Sequence, residues 1–269
     1  MDSLKTIFKK GSKTYYNSSI FFPKRERDDI YKLYAFVRTA DNYVDAVPQQ
    51  TNEFYEFINR YKSALTGVIT NDIIIDGFVE IQIKYNFDLK WAEAFLKSME
   101  MDLHKNVYNT IEELLEYVYG SAEVIGLFMS KILNLPEESY NAAAMQGRAM
   151  QIINFIRDIN EDNDLGRRYI PLYDTTMKNL TQTEAENNPI EFTKLIHNAV
   201  NQYSQWQKTA ETGYKYIPMK YLVPIKTASD AYNWTARIIK RNPFIIFKKK
   251  VKPSRFRIIF YIVRNFLIV

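Results

Sequence analysis

Apolar residues recur at three- and four-residue spacing along most of the chain, in stretches almost free of Gly and Pro. This is the pattern of buried and amphipathic helices. It predicts helices over 28–45, 53–65, 89–103, 111–133, 139–160, 190–216 and 225–241. Breaks are expected at Pro23, Pro48, Pro136, Gly166 with Pro171, Pro218, Pro224 and Pro243. The run 71–80 holds Ile73, Ile74 and Ile75 and would suit a strand in isolation. Its place between helical segments argues for helix. No repeat of fixed period and no low-complexity stretch interrupts the pattern. The expectation is one all-α domain over 1–242, with 243–269 a basic and apolar segment continuous with it.

Composition agrees with a globular chain. Of 269 residues, 46% are hydrophobic and 25% charged, the ordinary balance of a soluble domain. The 8 Gly and 9 Pro are too few for a loop-rich all-β fold. With no Cys, disulfides, thiolate metal sites and Cys nucleophiles are excluded. Only His104 and His197 are present, which argues against a multi-His metal site. No N-terminal apolar stretch reads as a signal peptide, and no uncharged run approaches membrane-spanning length, so a cytoplasmic protein is expected.

Charge is unevenly placed. After Asp230 there is no acid, and ten Lys or Arg fall between Arg237 and Arg264. The net charge of +5 therefore divides into a body of 26 bases and 31 acids, net −5, and a basic tail. In the tail, bases stand beside bulky apolar residues, from Phe244 to Val269. That mixture suits an anionic membrane surface. A packed helix with a solvated basic face fits equally well. Nucleic-acid binding lacks a recognition motif and is opposed by the acidic body, so no nucleic-acid partner is expected.

Two acidic clusters carry the chemistry. On a helix, Tyr34, Arg38, Asp41 and Asp45 fall within about 60° of arc, and Gln151, Asn154, Asp158 and Asp162 within about 80°. A single i,i+4 Asp pair is usually just a solvated face. Here the flanking residues are Ala, Phe, Val, Ile and Met, so both helices read as largely buried. Their stripes use short Asp and Asn, where a surface helix would favour Glu and Lys. Buried carboxylates demand neutralising cations. Oxygen-only donors select hard ions, which makes Mg²⁺ the natural partner and a phosphorylated ligand the natural companion. An EF-hand reading of 158–169 fails, because Asn163 stands at the required Gly position and Tyr169 at the bidentate Glu. No P-loop or GxGxxG phosphate cradle is present.

These motifs resemble the squalene/phytoene synthase family. They are Asp41-Asn-Tyr-Val-Asp45, then Asn154-Phe-Ile-Arg157-Asp158-Ile-Asn-Glu161-Asp162, then Gly166-Arg167-Arg168-Tyr169-Ile-Pro171. Ser12-Lys13-Thr14-Tyr15, Met101-Asp102-Leu103, Tyr119-Gly120-Ser121-Ala122 and Ala231-Tyr232 extend the match in the same order, over about residues 10–260. The resemblance implies an all-α isoprenoid synthase fold, a helical bundle around a central cavity. It also implies Mg²⁺-dependent head-to-head condensation of two prenyl diphosphates through a cyclopropylcarbinyl diphosphate, with Mn²⁺ as a substitute metal. Carried over residue by residue, Asp41, Asp45, Asn154, Asp158 and Asp162 are metal positions. Ser12, Lys13, Arg38, Gln151, Asn154, Arg167 and Tyr232 are substrate positions. Tyr34, Arg38, Tyr169 and the four Asp form the catalytic set.

The wording around Tyr34 and Tyr119 is more like the phytoene branch, which implies two geranylgeranyl diphosphates as substrates and a role in carotenoid biosynthesis. The alternatives are two farnesyl diphosphates giving squalene or dehydrosqualene, with NADPH needed only for squalene, or an inactive homologue serving as a binding factor. Asn42 and Glu123 depart from the family pattern. His104 and His197 read as structural or surface residues, and Arg157 with Glu161 as an i,i+4 ion pair. No pattern fixes an oligomeric state.

Overall fold

The structure, a computed structural model, describes residues 2–11, 19 and 22–268. Ser12 and Lys13 therefore lie outside the described residues. Among those described, the secondary structure is helical, and the sole extended pairing is an isolated bridge between Val107 and Arg168.

The helices are α1 (Asp2–Gly11), α2 (Lys24–Asp45), α3 (Thr51–Leu65), α4 (Ile73–Lys84), α5 (Leu89–Met101), α6 (Ile111–Val118), α7 (Val124–Ile132) and α8 (Tyr140–Asp164). They continue with α9 (Gln182–Asn187), α10 (Pro189–Glu211), α11 (Met219–Arg241), α12 (Ile245–Lys248) and α13 (Arg255–Ile268). Two long helices organise the bundle. α2 is surrounded by α1, α3, α4, α5 and α7, whereas α8 receives α7, α10, α11 and α12.

The Ile73–Ile75 run is helical because Asp72 caps it. The Asp72 carboxylate accepts from the amides of Ile74 and Ile75, satisfying donors that a helix start leaves free. Ile75, Phe78, Val79 and Gln82 then turn one face into the core. Phe78 stacks on Phe36 of α2 with ring centroids 3.9 Å apart.

Two expected boundaries move. Pro224 does not start a helix; it sits inside α11, which begins at Met219. Five helical residues precede it, and the proline nitrogen cannot donate to the Lys220 carbonyl, so the helix gives up one i→i−4 bond there. The segment 111–133 is also not one regular helix. A π-helical turn, Tyr119–Glu123, separates α6 from α7.

That turn accompanies close main-chain contact. A Cβ built on Gly126 of α7 would lie 2.2 Å from the Ala143 carbonyl oxygen of α8, and one on Gly147 would lie 2.2 Å from that of Ala122. The two helices touch backbone to backbone, and the next larger residue would force them apart.

Candidate active site

α2 and α8 border one apolar cavity of about 340 Å³. Tyr34 and Val37 line it from α2, and Met150, Gln151 and Asn154 from α8. Most of the remaining wall is small or aliphatic, from α7, α10 and α11. One patch is polar but internally satisfied. Gln146 donates to Gln207 Oε1 at 3.0 Å and accepts from Ser229 at 2.9 Å, and the Tyr214 hydroxyl donates to Ser229 at 2.8 Å. Two buried polar atoms beside the cavity have no partner among the described residues, Asn154 Oδ1 and Ser121 Oγ. An orphaned amide oxygen costs free energy unless something outside the chain meets it.

The aspartate stripes follow the same two helices. Arg38 pairs with Asp41 along α2. Arg167, just past α8, is 8% exposed and ties the stripes together. It donates to Asp45 Oδ1 at 2.6 Å and to the Val44 carbonyl at 2.9 Å, and its charge also attracts Asp162 and Asp102. The expected Arg157–Glu161 pair is replaced. Arg157 forks onto its neighbour Asp158, at 2.7 and 2.5 Å, and Glu161 pairs with Lys250. Lys250 also reaches Asp158 Oδ1 at 3.1 Å.

These neighbours set the proton affinities. Burial, then repulsion from Asp45, pushes the Asp41 carboxyl up to about 7. Burial and the charge of Asp158 push Asp162 up to about 8. Burial acts the same way on Asp158, yet the Arg157 fork and Lys250 outweigh it and hold that carboxyl below its ordinary value. The Tyr34 hydroxyl is raised to about 12, chiefly by burial. Its ring stacks on Phe8 at 3.9 Å.

The remaining expected residues take different places. Tyr169 is buried behind the site, stacked on Phe155 at 4.0 Å, and donates to Asp102 Oδ1 at 3.0 Å. Tyr232 is buried on α11, within electrostatic reach of Tyr34. Glu123 is buried and takes Arg148 Nε at 2.7 Å, which accounts for an acid at that position. Asn42 is exposed. His104 lies at the surface near Tyr55, and the half-buried His197 meets the Lys240 carbonyl.

The roles of two residues escaped the sequence reading, one of them, Asp102, quoted there only as part of a matching motif. Asp102 is 2% exposed and accepts from Tyr117 at 2.7 Å as well as from Tyr169. Burial raises its carboxyl to about 6. The stretch 89–103 also carries Glu93 and Glu100, so nothing local marked Asp102 as the buried acid. Lys250 was hidden within a run of lysines.

A family model described as squalene/phytoene synthase matches residues 8–257. This chain belongs to the squalene/phytoene synthase family. It is a prenyltransferase of that type, and the family's reaction is head-to-head condensation of prenyl diphosphates. It is 25% identical over 257 residues to the 15-cis-phytoene synthase of Synechocystis sp., covering 89% of this chain and 76% of that protein. To the 4,4'-diapophytoene synthase of Staphylococcus haemolyticus it is 29% identical over 170 residues, 61% of this chain and 59% of that protein. Among solved structures, a dehydrosqualene synthase in complex with ligand superposes with TM-score 0.85 at 20% identity, covering 98% of this chain and 94% of that one. Squalene synthase HpnC from Alicyclobacillus acidocaldarius gives TM-score 0.80 at 19% identity, covering 90% and 94%. The fold is thus the isoprenoid synthase fold, as expected from the motifs.

Among the described residues of this synthase-family chain, no three acidic or His side chains form a ready-made cation cage. The carboxylates are instead held by the protein's own Arg and Lys. Their donor set still fits a hard divalent ion: carboxylate oxygens, an Asn154 oxygen unpaired among the described residues, and two acids whose proton affinity is raised by burial first and by neighbouring carboxylates second.

A pH dependence follows. Asp41 and Asp162 titrate near 4 in the unfolded chain but near 7 and 8 in the folded one. Over that interval the native state binds more protons, so stability falls as pH rises. A net cost of about 2 kcal/mol corresponds to a drop in melting temperature of roughly 5 °C. Thermal melts in EDTA at pH 5.5 and 8.5 should show the drop, and Mg²⁺ with pyrophosphate should narrow it. A melting temperature that climbs across this range contradicts the repulsive arrangement of the acids.

Proposed function

We propose that this chain condenses two geranylgeranyl diphosphates to phytoene in a Mg²⁺-dependent reaction. The observation that carries the reading is an apolar cavity lined by Tyr34 of one stripe and by Gln151 and Asn154 of the other, whose aspartates lie further along the same two helices with Arg38, Arg157, Arg167 and Lys250 at their carboxylates. The cavity would take hydrocarbon, and the charged ends of the stripes would take the diphosphate. Relatives named phytoene synthase, matched over most of the chain, support the C20 substrate.

Asp41, Asp45, Asn154, Asp158 and Asp162 would hold the metal, which when bound supplies charge neutralisation that makes diphosphate a leaving group. Arg38, half-exposed beside Asp41, would offer a planar donor fork to departing phosphate oxygens, and Arg167, whose fork is taken by Asp45 and the Val44 carbonyl, would contribute its charge. The carbon–oxygen bond to diphosphate breaks, the double bond of the second substrate attacks the allylic cation, and loss of a proton to the departed diphosphate closes the ring of a cyclopropylcarbinyl diphosphate. A second ionisation and rearrangement, with loss of a proton, completes the product. The apolar lining excludes water that would quench the cations. Tyr34, stacked on Phe8, offers a π face at the cavity wall. Ser12, Lys13, Gln151, Tyr169 and Tyr232 complete the proposed set. Substrates and product of this kind partition into bilayers, so peripheral membrane contact belongs to the same reading.

The second reading is condensation of two farnesyl diphosphates, favoured by the 29% identity to a 4,4'-diapophytoene synthase. Purified full-length protein should be incubated with Mg²⁺ and the C15 or the C20 diphosphate, with and without NADPH, and products identified by mass. We expect phytoene from the C20 substrate without NADPH. Turnover of the C15 substrate alone replaces this reading by the second. Turnover of neither would make the chain an inactive homologue.

A further inference from the structure

Helix α13 is amphipathic in an inverted sense. Its inward residues are Ile258, Tyr261 and Asn265, and much of what holds them to α11 is polar. Asn265 donates to Asp230 at 2.7 Å, Arg264 pairs with the same carboxylate, and the Arg257 guanidinium lies 5.0 Å over the Trp234 ring. The outward residues are the hydrophobic ones. Phe256, Ile259, Phe260, Val263, Phe266 and Leu267 are 53–85% exposed. On a helix they occupy about 120° of arc. Arg257 and Arg264 flank that arc on one side and Arg255 on the other. Exposed apolar area on this scale marks an interaction surface rather than an ordinary solvent face.

We propose that the outward face of α13 is a docking surface for an anionic lipid bilayer, with the helix lying in the plane of the interface. The structure corrects the simpler alternative of a solvated basic face, because the face turned to solvent is apolar. Several features favour a lipid occupant. At 14 residues α13 is about 21 Å long, short of the roughly 30 Å hydrocarbon core, and no described helix is long and apolar enough to cross a membrane. Interfacial helices combine such an apolar arc with cationic flanks. Lys248, Lys249 and Lys252, all exposed, precede the helix, and no acid follows Asp230 to oppose anionic headgroups. This inference stands on α13 alone and does not depend on which substrate is turned over.

The full-length chain should be sedimented with phosphatidylcholine vesicles and with vesicles containing phosphatidylglycerol, at low and high salt. We expect capture by the anionic vesicles, weakened by salt, and at least a tenfold loss of the bound fraction in Ile259→Ser/Phe260→Ser/Phe266→Ser. Far-ultraviolet circular dichroism checks that this variant keeps its helices. Phe260→Trp gives an independent readout: added emission that shifts to the blue on anionic vesicles and is quenched by brominated lipid. Failure of the full chain to sediment with anionic vesicles at low salt overturns the proposal. So does equal binding by the triple-serine variant. A dimer in solution that the serines dissociate, without vesicle binding, would assign the face to a second copy of the chain and equally overturn it.

Discussion

Asp162→Asn should abolish turnover while making the metal-free protein more stable at pH 8. The two effects come from one cause. Burial first, and the nearby carboxylates of Asp158, Asp45 and Glu161 second, raise the proton affinity of Asp162 to about 8. Ionising it in the folded state therefore works against the fold. An amide of the same shape removes that repulsion, a gain of about 1–2 kcal/mol after solvent screening. The same amide lacks the negative charge that would hold a divalent ion, and loss of one such electrostatic element costs on the order of 10³-fold in rate. Product formation and urea unfolding in EDTA, measured on one preparation, check both halves. Near-normal turnover would remove Asp162 from the mechanism. A destabilised variant would refute the repulsive description of the cluster.

Arg167→Met should be the most destabilising single change at the site. The guanidinium is buried, bonded to Asp45 and to the Val44 carbonyl, and faces Asp102 and Asp162. Removing one partner from a buried charged set costs about 3–5 kcal/mol, because the remaining charges lose their compensation. The loss should be smaller at pH 5.5 than at pH 8, since Asp162 and Asp102 can take up protons once the guanidinium is gone. Arg167→Lys should recover only part of the stability, as a single ammonium cannot serve both acceptors with the same planar fork. Urea midpoints at the two pH values measure this. A loss below about 1 kcal/mol at pH 8 would show that the acids do not depend on Arg167.

What could be read in advance divides along physical lines. The two aspartate stripes were legible because helical periodicity places their members on one face whatever the tertiary fold. Arg167 was legible through its motif, but its role as the tie between stripes was not. A contact between residues 45 and 167 is long-range, and local pattern carries no trace of it. Asp102 and Lys250 were missed for the same reason: each acts through partners distant in sequence. Pro224 was misplaced because proline reads as a breaker, although a long packed helix can carry one at the cost of a single main-chain bond. The cavity left the weakest signal. Its wall draws on small residues such as Ala122, Gly126, Ala142 and Ala228, from three helices. Hydropathy cannot tell an Ala that closes a core from one that opens a void.

The glycine crossing of α7 and α8 decides how this protein can change. Where two main chains abut, the contour is fixed by peptide geometry, and no single replacement can deepen it. The same cavity is also lined by Ile217 and Ile225, whose bulk can be trimmed or enlarged one residue at a time. Evolution toward longer or shorter hydrocarbons has one malleable border available and one fixed one.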